Sequence, residues 1–101
     1  MADVNVNWVL PTTRTSGKPL NPADVAAMEL ALSIDGNNFT PFDSYTRDIL
    51  STKVTELEPG EWFFRGVVVD TLNRRSVPRV SSLVIPDLTP PSALLSLNLS
   101  L

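Results

Sequence analysis

The sequence predicts an all-β domain, a two-sheet antiparallel sandwich, followed by an extended strand-like tail. Three observations carry this expectation. Short apolar stretches of period two recur along the chain, and turn residues separate them at intervals of roughly ten residues. The length of 101 residues suits one hydrophobic core and leaves no room for a second domain. We expect a sandwich over residues 1–85 and a proline-rich linker plus strand over residues 86–101.

Val4, Val6, Trp8 and Leu10 alternate with Asn5, Asn7 and Val9, the pattern of a strand with one buried face, and Pro11 closes it. From Thr12 to Pro22 the chain is a turn-rich connection punctuated by Gly17, Pro19 and Pro22. Asn21 followed by Pro22 reads as an N-cap and first helical residue, so at most one helical turn precedes a strand from about Met28 to Ile34. Asp35-Gly36 is a tight-turn pair. Phe39, Phe42 and Tyr45 around Pro41 suit a short irregular edge strand, because proline cannot donate to a ladder.

Ile49 to Leu57 supplies a further strand through Ile49, Val54 and Leu57. The turn Glu58-Pro59-Gly60-Glu61 then launches Trp62 to Asp70, whose aromatic and β-branched residues mark a central strand. One face carries Trp62, Phe64, Gly66 and Val68; the other carries Phe63, Arg65, Val67 and Val69. Both faces are largely apolar. Either a partner covers Phe63, Val67 and Val69, or long neighbouring side chains such as Arg65 shield them. Leu72 to Pro78 reads as a polar turn and Arg79 to Ile85 as the last strand of the sandwich.

The chain contains no cysteine and no histidine. Disulfides, thiolate metal sites and cysteine nucleophiles are therefore excluded, and the commonest general base and transition-metal ligand are missing. A non-enzymatic role with no cofactor follows as the expectation. The net charge of −3 argues against nucleic-acid binding, which relies on cations replacing counterions along the phosphates. No apolar run approaches the roughly 20 residues of a membrane helix. The first residues lack the basic and apolar regions of a secretory signal, so synthesis and folding in a cytoplasm are expected. Asp35, Asp43, Asp48 and Asp70 lie near turns without the dense spacing of a calcium loop, and Asp35 and Asp70 read as turn-forming carboxylates.

The run Leu57-Glu58-Pro59-Gly60-Glu61-Trp62-Phe63-Phe64-Arg65-Gly66-Val67-Val68-Val69-Asp70 resembles the passage between the E and F strands of fibronectin type III modules, especially bacterial and phage ones. Val6-Asn7-Trp8-Val9-Leu10-Pro11 is similar to the B strand with its tryptophan, and Glu29 to Gly36 to the C strand and its turn. The resemblance spans roughly residues 4 to 85 and implies an immunoglobulin-like or fibronectin type III-like sandwich. Trp62 departs from it, standing where the family has a corner tyrosine. Indole has no hydroxyl, so Trp62 is expected to act mainly as a core anchor.

By the same resemblance an A strand should precede the tryptophan strand, and Val4 follows the initiator too closely to leave room for one. Something else is expected to cover that edge. Pro86 to Ser92 resembles a linker between modules, after which Leu95, Leu97, Leu99 and Leu101 alternate with Ser96, Asn98 and Ser100. The tail thus reads as an A strand displaced to the other end, pairing with its own sheet edge, with that of a neighbouring copy or with another partner, the remaining alternative being disorder. Pro90-Pro91 stiffens the connection and favours exchange.

The expected partner-binding residues are Leu95, Leu97, Leu99 and Leu101 in the tail and Phe63, Val67 and Val69 on the sheet face. Arg74 and Arg75 join them from the only basic cluster, which Arg79 completes. Small modules of this type on phage particles imply a virion structural protein, a capsid decoration subunit working by protein–protein contact with capsid subunits or with a second copy. The alternative is a carbohydrate-binding or host-adhesion module that stacks glycans on Phe39, Phe42 and Tyr45.

Overall fold

A computed structural model of the chain describes residues 2–101 and is all-β apart from one 3-10 turn. Six strands follow in order: β1 (Ala2–Asn7), β2 (Val25–Ser33), β3 (Thr40–Tyr45), β4 (Ser51–Leu57), β5 (Gly60–Asp70) and β6 (Arg79–Ile85). They form two antiparallel sheets, a two-stranded β1-β4 and a four-stranded β3-β2-β5-β6. Buried residues from both sheets meet between them: Met28 and Leu30 of β2, Val54 and Leu57 of β4, Phe64 of β5 and Ile85 of β6. The period-two pattern is therefore realised as a sandwich core, and β5 is a central strand paired on both sides.

Asn21 caps the single turn Pro22–Asp24, its side-chain oxygen accepting from the Ala23 amide at 3.0 Å. β2 then begins earlier than its alternation suggests, at Val25, which is fully buried. It also ends one residue sooner, leaving Ile34 exposed. Ser33 explains that end, because its hydroxyl accepts from the amides of Asp35 and Gly36 and turns the chain out of the ladder. Asp35 secures the turn by accepting from the Asn37 and Asn38 amides, both at 2.8 Å. Gly36 sits at φ +80°, and a Cβ there would lie 3.3 Å from the Phe63 ring. Gly36→Ala should therefore cost about 1–2 kcal/mol in a urea titration, since it adds left-handed backbone strain to a tight contact.

β3 is the irregular edge strand the sequence announces. Its register against β2 shifts between Leu30 and Ala31, which pair with Asp43 and Pro41, so Phe42 is the bulged residue. On the other sheet the β1–β4 register shifts between Ala2 and Val4, opposite Leu57 and Val54. Glu56 lies in that bulge with φ +61°, and its amide donates to the Asp3 carboxylate at 3.3 Å. Ile49 is not part of β4; it closes a turn by donating to the Thr46 carbonyl and stays exposed. Trp62 is half-buried rather than a deep anchor, and its indole N–H donates to the Glu58 carbonyl at 2.9 Å. Indole thus does tie the corner before β5 to the backbone upstream.

The connection from Thr12 to Leu20 is more ordered than its composition suggests. The Arg14 amide donates to the Lys18 carbonyl at 2.8 Å, Leu20 donates to the Thr12 carbonyl, and Thr13 bridges Pro19. This small hairpin carries Arg14 to one end of the sandwich, where it meets Asp70 at 3.2 Å and Asp24 at 3.7 Å.

Candidate interaction site

Residues 86–101 form no strand and leave the sandwich as an extended tail. The Cα radius of gyration is 20.4 Å, against about 13 Å for a compact chain of this length. The longest dimension is 83 Å and the other two are 23 and 19 Å. An eleven-residue strand such as β5 spans only about 36 Å, so the remainder is the tail continuing outward. Leu95, Leu97, Leu99 and Leu101 are all exposed, as are Leu88 and Leu94. The hydrogen bonds found within it are local, from Thr89 to Asp87 and from Asn98 to Ser96.

The outer face of β5 is less open than its sequence suggests. Val69 is only 6% exposed, and the 71–76 segment returns beside it, with Val69 bridged to Arg75. This residue is therefore withdrawn from the expected partner surface. Phe63 and Val67 are half-buried. The Gly36 turn lies against Phe63, and Arg65 stacks over Phe39 at 4.6 Å from the ring centroid. Shielding by long side chains and by the neighbouring turn thus accounts for much of that face.

The basic cluster is also largely spoken for. Arg74 Nε donates to Asp70 Oδ2 at 2.7 Å, and Arg75 makes a two-pronged pair with Glu29 across from Val67. That hydrogen-bonded guanidinium lowers the Glu29 pKa, and Glu29 in turn raises that of Arg75. Two of the three clustered arginines therefore hold the molecule's own carboxylates instead of presenting free charge. Asp70 itself is buried and accepts from the amides of Leu72 and Arg74 and from the Arg74 and Arg14 guanidinium groups. These bonds, the Arg74 amide foremost, bring its pKa down to about 2. Asp35 likewise lies well below the usual carboxylate range, chiefly through the Asn38 and Asn37 amides.

Of the aromatic trio, Tyr45 is in the core with its ring 5.1 Å from Trp8 and its hydroxyl donating to Thr52 at 3.2 Å. Phe39 lies under Arg65, which leaves Phe42, at 44% exposure, as the open ring of the three. No flat aromatic platform is assembled from them. Among the described residues no group of three metal-ligating side chains occurs, and no helix is long and apolar enough to cross a membrane.

The uncovered edge expected beside the tryptophan strand opens a groove that sequence reasoning did not foresee, between the two sheets on the side where β1 and β6 form their edges. It encloses about 450 Å³ and is lined by Val6, Trp8 and Leu10 on one side and Arg79 and Ser81 on the other, over Leu30 and Phe64. Its openness shows in the burial of its walls. Val6 and Trp8 point inward yet are only half-buried, as is Val4 further along β1 beyond the groove. Outside the groove, further along β6, Leu83 pairs with Trp62 on the same face of the sheet as Phe64 and remains 36% exposed. The Trp8 indole N–H is buried without an acceptor, which costs about 1–3 kcal/mol in general. The signal available in the sequence was indirect: a tryptophan strand with nothing to pair on its far side. Comparison with protein-family models, with curated proteins and with solved structures gave no match.

Proposed function

We propose that this protein is a non-enzymatic structural subunit of a tailed-phage virion, a capsid decoration protein made in the host cytoplasm and acting through protein–protein contact. The observation that carries this reading is an exposed leucine-rich tail on a small sandwich that holds Arg14, Arg74 and Arg75 with its own carboxylates. Such a molecule offers apolar surface for contact with other subunits. The strand order β1-β4 and β3-β2-β5-β6 supports a fibronectin type III-like arrangement without its first strand. A fold of this kind is a carrier for many binding surfaces, so function rests on the surface and not on the sandwich.

The tail then buries against neighbouring subunits, with what remains open of the Phe63 and Val67 face beside it, reinforcing a shell. Purified protein is expected to co-sediment with stripped or expanded capsids. Leu97→Asp with Leu99→Asp should weaken that binding at least tenfold, because two charges would enter an apolar contact. Folded protein that stays in the supernatant with such particles would overturn the decoration reading.

A further inference from the structure

We infer that the open groove beside β1 is the receptor for the tail of a second copy of this chain, which enters antiparallel to β1 and links subunits head to tail. The inference goes beyond the decoration reading, since it concerns contact between copies whatever larger particle they join. It rests on three observations: an unpaired strand edge, a segment shaped for it, and the directions in which the strands run.

The first is the edge. Among the described residues β1 pairs with β4 alone, so its other side presents unpaired backbone groups beside half-buried Val4, Val6 and Trp8. An edge of that kind is a template for one more strand. The second is the tail. Leu95 to Leu101 places four leucines on one side and Ser96, Asn98 and Ser100 on the other, all of them exposed. Seven residues extend over about 23 Å, close to the roughly 20 Å of the six-residue β1. Laid in, the leucines would face the groove and the polar residues the solvent.

The third observation is direction. Ile85 pairs with Gly60 and Ala2 pairs with Leu57, so the end of β6 and the start of β1 lie at the same end of the sandwich. The tail departs from that end. To run antiparallel to β1 a strand must enter at the opposite end, where Trp8 bonds the Leu50 carbonyl. A chain's own tail could reach β1 only by reversing, and would then lie parallel to it. Folding back on β6 would need a tight hairpin, whereas Pro86 follows Ile85 directly and Pro90-Pro91 keep the linker extended. The tail of a copy stacked end to end enters at the Trp8 end without turning. Residues 86–94 span about 28 Å in a polyproline-like conformation, enough to pass from one sandwich into the next. Matching apolar to apolar positions sets Leu97 opposite Val6, Leu99 opposite Val4 and Ser100 opposite Asp3. Such an interface is heterologous, so it propagates as a filament or closes as a ring.

The absence of cysteine makes cross-linking specific. Full-length protein carrying Asp3→Cys with Ser100→Cys should form covalent multimers on oxidation, seen on non-reducing gels and reversed by thiol. Asn7→Cys with Ser100→Cys, the pair that a tail parallel to β1 would join, should stay unlinked. Light scattering of the uncross-linked wild type should give two or more chains per particle, and Leu97→Asp with Leu99→Asp should return it to one. An intramolecular link in the second cysteine variant, or a wild type that is monomeric at every concentration, would overturn the inference. Multimers that ignore capsids would sink the decoration reading alone, and monomers that bind capsids would sink the head-to-tail assembly alone.

Discussion

Phe64→Ala is expected to destabilise the protein by about 3–5 kcal/mol, a large part of the 5–15 kcal/mol that holds a domain of this size together. Phe64 is buried, pairs with Leu32 and Ser81 in the neighbouring strands, and meets residues of both sheets in the core. Its removal leaves a cavity in the only strand that β2 and β6 share. Urea unfolding followed by tryptophan fluorescence should show a lower midpoint with an unchanged slope. Phe42→Ala is the control. That ring sits on the bulge of an edge strand and is 44% exposed, so its loss should change stability by no more than about 0.5 kcal/mol. Equal losses in the two variants would mean that the core does not lie between the sheets where these residues place it. Because Phe64 also floors the groove beside β1, its truncation should loosen any segment seated there.

The second large effect is expected at Asp70. Its carboxylate joins three parts of the chain: Arg14 from the hairpin after β1, the end of β5, and Arg74 from the turn that follows. Asp70→Asn should lower the unfolding midpoint at pH 7, because the buried position keeps its shape while two guanidinium groups lose their counter-charge. The pH dependence has a definite sign. An ordinary aspartate titrates near pH 4, whereas Asp70 in the folded protein titrates at about 2. A depressed folded pKa contributes stability that is fully present above the unfolded value and is lost as pH falls from about 4 through about 2. The gap between wild type and Asp70→Asn should close over that range. A gap that persists unchanged at pH 2 would show that the carboxylate's charge is not what ties these segments. Asp35 is depressed in the same direction, so wild-type stability should still be falling at the acid end of the titration.

Much of the sandwich was legible from local pattern, and the reasons differ by element. β5 and β6 were readable almost residue for residue, because an aromatic and β-branched run after Pro-Gly and a short apolar run after Pro78 have few alternatives. The cap at Asn21, the turn at Asp35 and the irregular strand around Pro41 followed from side chains that compete with the backbone or withhold a donor. The candidate site was legible in half. Alternating leucines after a proline-rich linker pointed to an exposed apolar tail, but the strand expected there is not formed, since no sheet edge of this chain pairs with it. Val69, Arg74 and Arg75 looked available because alternation assigns a face, but it cannot say which loop returns over that face or which distant carboxylate meets a given arginine.

Period-two alternation, turn chemistry and the missing cysteine and histidine are properties of neighbouring residues, and they determined the all-β class, the strand order along the chain and the absence of thiol and imidazole chemistry. Tertiary structure decided what depends on pairing across the sequence. Arg14 meets Asp70 over 56 positions and Arg75 meets Glu29 over 46, contacts that no local pattern encodes. The groove between β1 and β6 belongs in part to the same class: an edge without its A strand was expected, but which residues wall the groove depends on how the two sheets stack. The physical reason is that a strand's inward face is written in its own residues, while the coverage of its edges depends on the rest of the molecule.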